Sequence, residues 1–170
     1  MKKDQLDLPG WTHERGFGGK TDEWITPQWI VRALGEFDLD PCASVRQPWP
    51  QAKKSYTELD NGLAKPWEGR VWLNPPYGPA TGQWLDRAAK HGNAIALVFA
   101  RIDVAWFHSA VFQQADGILF MKGRVAFCRP DGSAATGAGS GSVLIAYGAA
   151  NVEALRRSKI EGHTVSLKSA

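Results

Sequence analysis

The sequence predicts an α/β fold: a mostly parallel sheet closed on one side by an antiparallel edge hairpin. Three observations carry that expectation. Up to about residue 121, short apolar runs alternate with segments of helical period, the pattern of a parallel sheet crossed over by helices. Several of those runs stop abruptly at proline or glycine, as buried strands do where they pass into loops. Beyond residue 121 the apolar runs follow one another with no helix between them, which calls for antiparallel pairing. With 170 residues, 44% of them apolar and 22% charged, the chain has material for one sizeable core and no sign of a second.

Residues 1 to 20 mix charges, glycines and polar residues without periodicity, and read as a flexible arm ahead of a single domain at 21–170. Gln28 to Leu34 has the apolar spacing of an amphipathic helix, with Thr26 as its N-cap and Pro27 at the first helical position. Phe37-Asp38-Leu39-Asp40 is a short strand that breaks at Pro41, leading into Cys42-Ala43-Ser44. A carboxylate just past a strand end is where an α/β sheet meets its ligands, so Asp40 either holds a polar part of a cofactor or heads an ordinary Asp-Pro turn. No Gly-rich nucleotide loop accompanies it. Lys54 to Thr57 reads as another strand, and Asp60 heads the turn that follows. Its carboxylate either faces solvent or meets an adenine amino group or a ribose hydroxyl.

Val71-Trp72-Leu73 is a buried strand ending at two prolines, and a helix opens at Thr81 or Gly82 and runs to Lys90, stopped by His91-Gly92-Asn93. Ala94 to Ala100 is the clearest buried strand in the chain. Arg101 and Asp103, just past its end, either face a ligand or pair locally. Trp106 to about Gln114 gives a helix; Gly117–Met121, Arg124–Cys128 and Ser142–Tyr147 give three successive strands, the last of the sheet. Residues 131–141 are glycines and small residues that cannot build a core, so this loop is mobile unless a ligand orders it. Val152 to Arg157 makes a short terminal helix with a frayed basic tail.

A net charge of +3 permits a polyanionic partner without requiring one. Two cysteines, Cys42 and Cys128, are too few for a disulfide framework, and neither they nor the four histidines show metal-ligand spacing. No signal peptide or membrane-spanning run is present, which fits a reducing cytoplasm. Most of the eight tryptophans are expected in the core.

Asn74-Pro75-Pro76-Tyr77, at the end of the Val71–Leu73 run, carries the chemistry. The prolines fix φ and lack an N–H, and they push Asn74 to an extended conformation, which leaves a stiff, carbonyl-rich edge. The Asn74 amide oxygen and the Pro75 carbonyl are then two acceptors side by side, suited to both hydrogens of an aromatic amine whose lone pair is otherwise delocalised. Tyr77 offers a ring face for a planar base, worth ~1–3 kcal/mol. The same tetrapeptide also reads as a proline turn with a half-buried tyrosine.

Four segments narrow the choice: Asp22-Glu23-Trp24-Ile25-Thr26-Pro27, Asp38-Leu39-Asp40-Pro41-Cys42-Ala43, Asn74-Pro75-Pro76-Tyr77 and Gly123-Arg124-Val125-Ala126-Phe127. In order and spacing they resemble the phage and prophage family of DNA adenine-N6 methyltransferases (Dam-like), over residues 21 to 148. The resemblance implies a Rossmann-like fold that binds S-adenosyl-L-methionine across its strand ends and methylates adenine N6 in DNA. It implies cofactor contacts from Thr26, Pro27, Asp40, Pro41, Cys42 and Ala43, with Asp60 as a further candidate. Asn74, Pro75, Pro76 and Tyr77 would hold the target adenine. The usual Gly-x-Gly cofactor loop is replaced here by Asp-Pro-Cys-Ala. The same acceptor pair would serve RNA adenine, cytosine N4 or a protein glutamine, and a catalytically silent nucleic-acid-binding module is the reading from another class.

Overall fold

The computed structural model describes residues 24–135 and 138–168. The arm expected at residues 1–20 and the pair Asp22-Glu23 lie outside them. Seven strands form one sheet in the order β2-β1-β3-β4-β6-β5-β7. They are β1 (Leu39–Asp40), β2 (Lys54–Ser55), β3 (Val71–Leu73), β4 (Ala94–Phe99), β5 (Gly117–Met121), β6 (Ser142–Tyr147) and β7 (Gly162–Ser166). The pairs β2–β1, β1–β3 and β3–β4 are parallel, whereas β6 runs against both β4 and β5, and β7 against β5. The alternating stretch as far as β4 thus becomes the parallel half of the sheet, whereas β5, also within that stretch, pairs antiparallel with both its neighbours.

The antiparallel part departs from expectation. It is no edge hairpin, because β6 inserts between β4 and β5 and pairs along its whole length with β4. Every residue of β6 is buried, so it requires cover on both faces and a neighbour on each side. The edge falls instead to β7, in the segment expected to be a frayed tail; its polar, largely exposed residues suit an edge. Arg124–Cys128 is not a strand of the sheet. Val125 and Phe127 are buried in alternation, but Cys128 makes isolated bridges to Ile25 and Ala134 in place of a ladder. The burial comes from packing such as that of Phe127, edge-on to Trp24 and Phe99.

Three helices cover the sheet: α1 (Gln28–Leu34), α2 (Thr81–His91) and α3 (Ala149–Arg157). α1 is capped by Pro27, without a side-chain cap, so Thr26 is not the N-cap the sequence suggested. α2 buries Trp84, Leu85 and Ala88 and stops at Gly92, whose φ of 73° a residue with a side chain rarely adopts. Phe107–Phe112 is π-helical, shorter than the expected helix. Trp67, Trp72 and Trp84 are buried in the core and Trp24 and Trp106 pack against it partly buried, as the expectation of tryptophans mostly in the core has it; Trp29, 54% exposed, is the exception among them. Among the described residues no helix is long and apolar enough to cross a membrane.

The ends where the parallel strands begin are tied by Arg70. Its guanidinium donates to the Asn151 side chain (2.7 Å) and to the carbonyls of Leu34 and Glu36 (3.0 Å each), and its backbone N–H donates to Asp38 (2.8 Å). One residue therefore joins α1, β3 and α3. The opposite ends of the same strands are built differently.

Candidate active site

At the far end of β1, Asp40 is 2% exposed, and the chain turns there into Pro41, Cys42 and Ala43. This stretch is held to the chain beyond β2 by backbone bonds, Tyr56 N–H to the Asp40 carbonyl and Ala43 N–H to the Tyr56 carbonyl, both 2.8 Å. Behind it sits Gly62, where a Cβ would fall 1.8 Å from the Pro41 carbonyl oxygen. Only glycine permits that approach.

At the end of β3, the turn carrying Asn74 to Tyr77 is clamped by Thr81. The Thr81 hydroxyl donates to the Pro76 carbonyl and accepts from the Gly78 N–H, each at 3.0 Å. Asn74 itself donates from Nδ2 to the Trp24 carbonyl at 2.8 Å. Because a carbonyl only accepts, that bond turns the amide so that Oδ1 is left as an acceptor. The Tyr77 hydroxyl donates to Oδ1 at a long 3.4 Å. The Tyr77 ring stacks on Phe99 with centroids 4.2 Å apart and planes 15° off parallel, so a base stacking on this tyrosine must use the other face.

These ends meet in a pocket whose space, its open mouth included, is about 620 Å³. Of the residues singled out from sequence, Asp40, Cys42, Ala43, Asn74, Pro75, Pro76 and Tyr77 all line it. Pro41, Thr26 and Pro27 are buried nearby in the chain without lining it. Asp60 is not brought in. Its carboxylate accepts from the Thr57 N–H (2.8 Å) and hydroxyl (3.0 Å), bonds that hold its pKa below the usual value, and it closes an exposed turn. Glu58 lines the cavity instead, together with Trp24, Ile25, Ser44, Val45, Gln47 and Gln51. Trp24 had a signal, since it stands in the Asp-Glu-Trp segment; Gln51 had none. It arrives through a long-range contact, donating Nε2 to the Thr26 carbonyl at 3.2 Å.

Burial sets the electrostatics. Asp40 accepts from the Cys42 N–H at 3.2 Å, but desolvation outweighs that bond and pushes its pKa up to about 7. Desolvation and the neighbouring Asp40 raise the Cys42 thiol well above its ordinary value, so it stays protonated and donates to the Asn74 carbonyl at 3.3 Å. The Thr26 hydroxyl is buried with no partner in the structure. No group of three His, Cys, Asp or Glu among the described residues is arranged to hold a metal ion. The cavity thus offers a buried carboxylate, a second carboxylate at Glu58, apolar walls and an oriented amide oxygen beside an aromatic ring.

Residues 18–160 match the family model described as DNA N-6-adenine-methyltransferase (Dam). The chain belongs to the Dam family. The resemblance seen in the four sequence segments is therefore borne out at the level of the family. No curated protein and no solved structure is similar enough to register as a match. Within this Dam-family chain the segments at the two strand ends, Asp40 to Ala43 and Asn74 to Tyr77, face a single cavity.

Proposed function

We propose that this Dam-family chain transfers a methyl group from S-adenosyl-L-methionine to the N6 amine of adenine in DNA, on a Rossmann-like sheet whose strand ends carry the site. The observation that carries the proposal is the orientation of Asn74: the Trp24 carbonyl fixes Nδ2, so Oδ1 faces the cavity's chemistry as an acceptor next to Pro75.

The donor set fits the cofactor. Asp40 and Glu58 are carboxylates suited to its hydroxyl and ammonium groups, and Ile25, Val45 and Pro76 give its adenine an apolar wall. Cys42 and Ala43 supply the backbone beside Asp40, with Pro41, Thr26 and Pro27 shaping the wall from behind. S-adenosyl-L-methionine, when bound, supplies a methyl group made electrophilic by its sulfonium.

The chain's own residues position the acceptor. Adenine N6 lies in the major groove with its lone pair conjugated into the ring, so the nucleotide must swing out of the helix at a cost of roughly a few kcal/mol. Stacking on the face of Tyr77 turned away from Phe99 offsets ~1–3 kcal/mol of that. Asn74 Oδ1 and the Pro75 carbonyl each accept one N6 hydrogen, which draws the lone pair out of conjugation and aims it. Catalysis is positioning of the amine, with no covalent enzyme intermediate.

The test is incubation with isotopically labelled S-adenosyl-L-methionine and unmethylated duplex DNA, followed by mass spectrometry of the nucleosides. Labelled N6-methyladenine is the expected product. Label in cytosine, or label only when RNA or protein is supplied, overturns the substrate assignment; absence of cofactor binding overturns the reaction.

A further inference from the structure

Tyr77 is a wall shared by two cavities. One is the cavity with Asp40 and Asn74; the other, about 570 Å³ with its open mouth included, is lined by Tyr77, Thr81, Phe99, Arg101, Val104 and Trp106 among others. Phe99 lines only the second, so the stacked Tyr77–Phe99 pair forms the partition between them. We propose that the second cavity is a nucleotide subsite for the DNA strand carrying the target base: Trp106 stacks a base adjoining the target, and Arg101 holds a backbone phosphate. The proposal rests on the reading that the first cavity takes cofactor and target amine.

Continuity is the first support. A base seated in the first cavity against the face of Tyr77 turned away from Phe99 has its neighbouring nucleotide within reach on the other side of the partition, and nucleotides adjoining an extruded base are already partly unstacked. Chemistry is the second. An aromatic platform together with a guanidinium is the combination that binds single-stranded nucleic acid, through base stacking and phosphate pairing. The second cavity carries both, and Arg101 is exposed at its rim.

Local geometry sets these two residues there. Arg101 leaves β4 through a three-residue turn closed by its own N–H on the Phe99 carbonyl (2.8 Å), which brings its side chain beside the partition. Trp106 packs so close to the first turn of α2 that a Cβ on Gly82 would lie 2.8 Å from the Trp106 Cβ. Gly82, the second residue of α2, is thus the residue that admits the tryptophan. Trp106 remains only partly buried, and it contacts Phe107 at a tilted 43° rather than face to face.

The experiment measures binding of fluorescein-labelled duplex and single-stranded oligonucleotides by anisotropy over a salt series, with KM, kcat and cofactor affinity, for wild type, Arg101→Gln, Trp106→Ala and Trp106→Phe. Arg101→Gln is expected to lower the slope of log Kd against log salt by about one and to raise KM for DNA, with cofactor affinity unchanged. Trp106→Ala is expected to weaken oligonucleotide binding about tenfold or more, and Trp106→Phe to recover most of that. If wild type methylates DNA while Arg101→Gln keeps the wild-type salt slope and Trp106→Ala the wild-type affinity, the subsite is refuted and the catalytic reading stands. If wild type binds oligonucleotides through these two residues yet methylates no DNA, the subsite stands and the catalytic reading falls. Arg101 is exposed, so its variant keeps the test decisive should Trp106→Ala fail to fold.

Discussion

Asp38 and Asp40 stand two residues apart around β1, yet they live in opposite electrostatic worlds. Asp38 accepts from the Arg70 N–H at 2.8 Å and from Lys53 Nζ at 3.0 Å, and these partners hold its pKa below the usual carboxylate value. Asp40 is buried, and its pKa is driven up to about 7 because burial outweighs the single bond from Cys42. The contrast extends to the neighbours. Beside Asp38, Arg70 and Asn151 spend their polar groups on carbonyls and on each other, with Asn151 Nδ2 also bonded to Asn93 and to the Tyr147 carbonyl. Beside Asp40, the Asn74 amide is held firmly through Nδ2 while Oδ1 takes only the long 3.4 Å bond from Tyr77, and the Thr26 hydroxyl has no partner among the described residues. One end of the strands is largely satisfied within the chain, Arg70 Nη2 being the exception among the groups just named, and holds the fold together; the other keeps acceptor capacity for something from outside.

The largest expected effect at the unsatisfied end is that of Asn74→Ala: a loss of methyl transfer of at least ~100-fold in kcat, comparable to deleting one oriented polar group at a transition state. Cofactor affinity, read by calorimetry, should stay near wild type. An equal fall in cofactor affinity would mean that Asn74 only braces Trp24.

Asp40→Asn should weaken cofactor binding roughly 10- to 100-fold, the range for a hydrogen bond to a charged group. Its pH behaviour sharpens the comparison. With a native pKa of about 7 and an unfolded value near 3.8, the folded chain keeps a proton that the unfolded chain releases. Stability from this group is therefore greatest in acid and falls as pH rises from about 4 to about 7, then levels. Cofactor affinity should run the other way and strengthen between pH 6 and 8, as the carboxylate ionises. Both slopes should flatten in Asp40→Asn, measured by urea unfolding and by cofactor titration; a wild-type profile that is already flat would refute the role of Asp40.

At the satisfied end, Arg70→Met should cost stability of roughly 1–3 kcal/mol, because the Leu34 and Glu36 carbonyls and the Asn151 side chain lose a donor. Thermal melting should drop by several degrees, and cofactor affinity in the folded protein should be unchanged. A change in cofactor binding without loss of stability would erase the distinction between the two ends. Smallest of all should be Tyr77→Phe, within about twofold of wild type, since the hydroxyl reaches Asn74 only at 3.4 Å. Tyr77→Ala, which removes the ring face, should cost about tenfold or more in KM for DNA. Equal losses in the two variants would shift the role to the hydroxyl.

Much of this was legible in the chain because it is local. Val71-Trp72-Leu73 before two prolines announces a strand that stops, and the prolines themselves stiffen the turn that bears Asn74. Ala94–Phe99 reads as a doubly covered strand from its uninterrupted apolar run. Asp60 misled for the same reason: a carboxylate after a strand is a local signal shared by cavity-lining and turn-closing residues, and here Glu58 reached the cavity while Asp60 closed the turn.

The sequence by itself determined the α/β alternation, the rigid Asn-Pro-Pro-Tyr edge and the acidic residue at the end of β1, because proline geometry, apolar runs and strand ends depend on near neighbours alone. Only the tertiary structure decided that β6 lies between β4 and β5, that polar Gly162–Ser166 becomes the edge strand, and that Gln51, Glu58 and Trp24 meet at one cavity. It also decided the difference between Asp38 and Asp40, since a carboxylate's charge is set by who surrounds it: Asp38 is met by Lys53 and Arg70 from further along the chain, whereas Asp40 is buried with the Cys42 N–H.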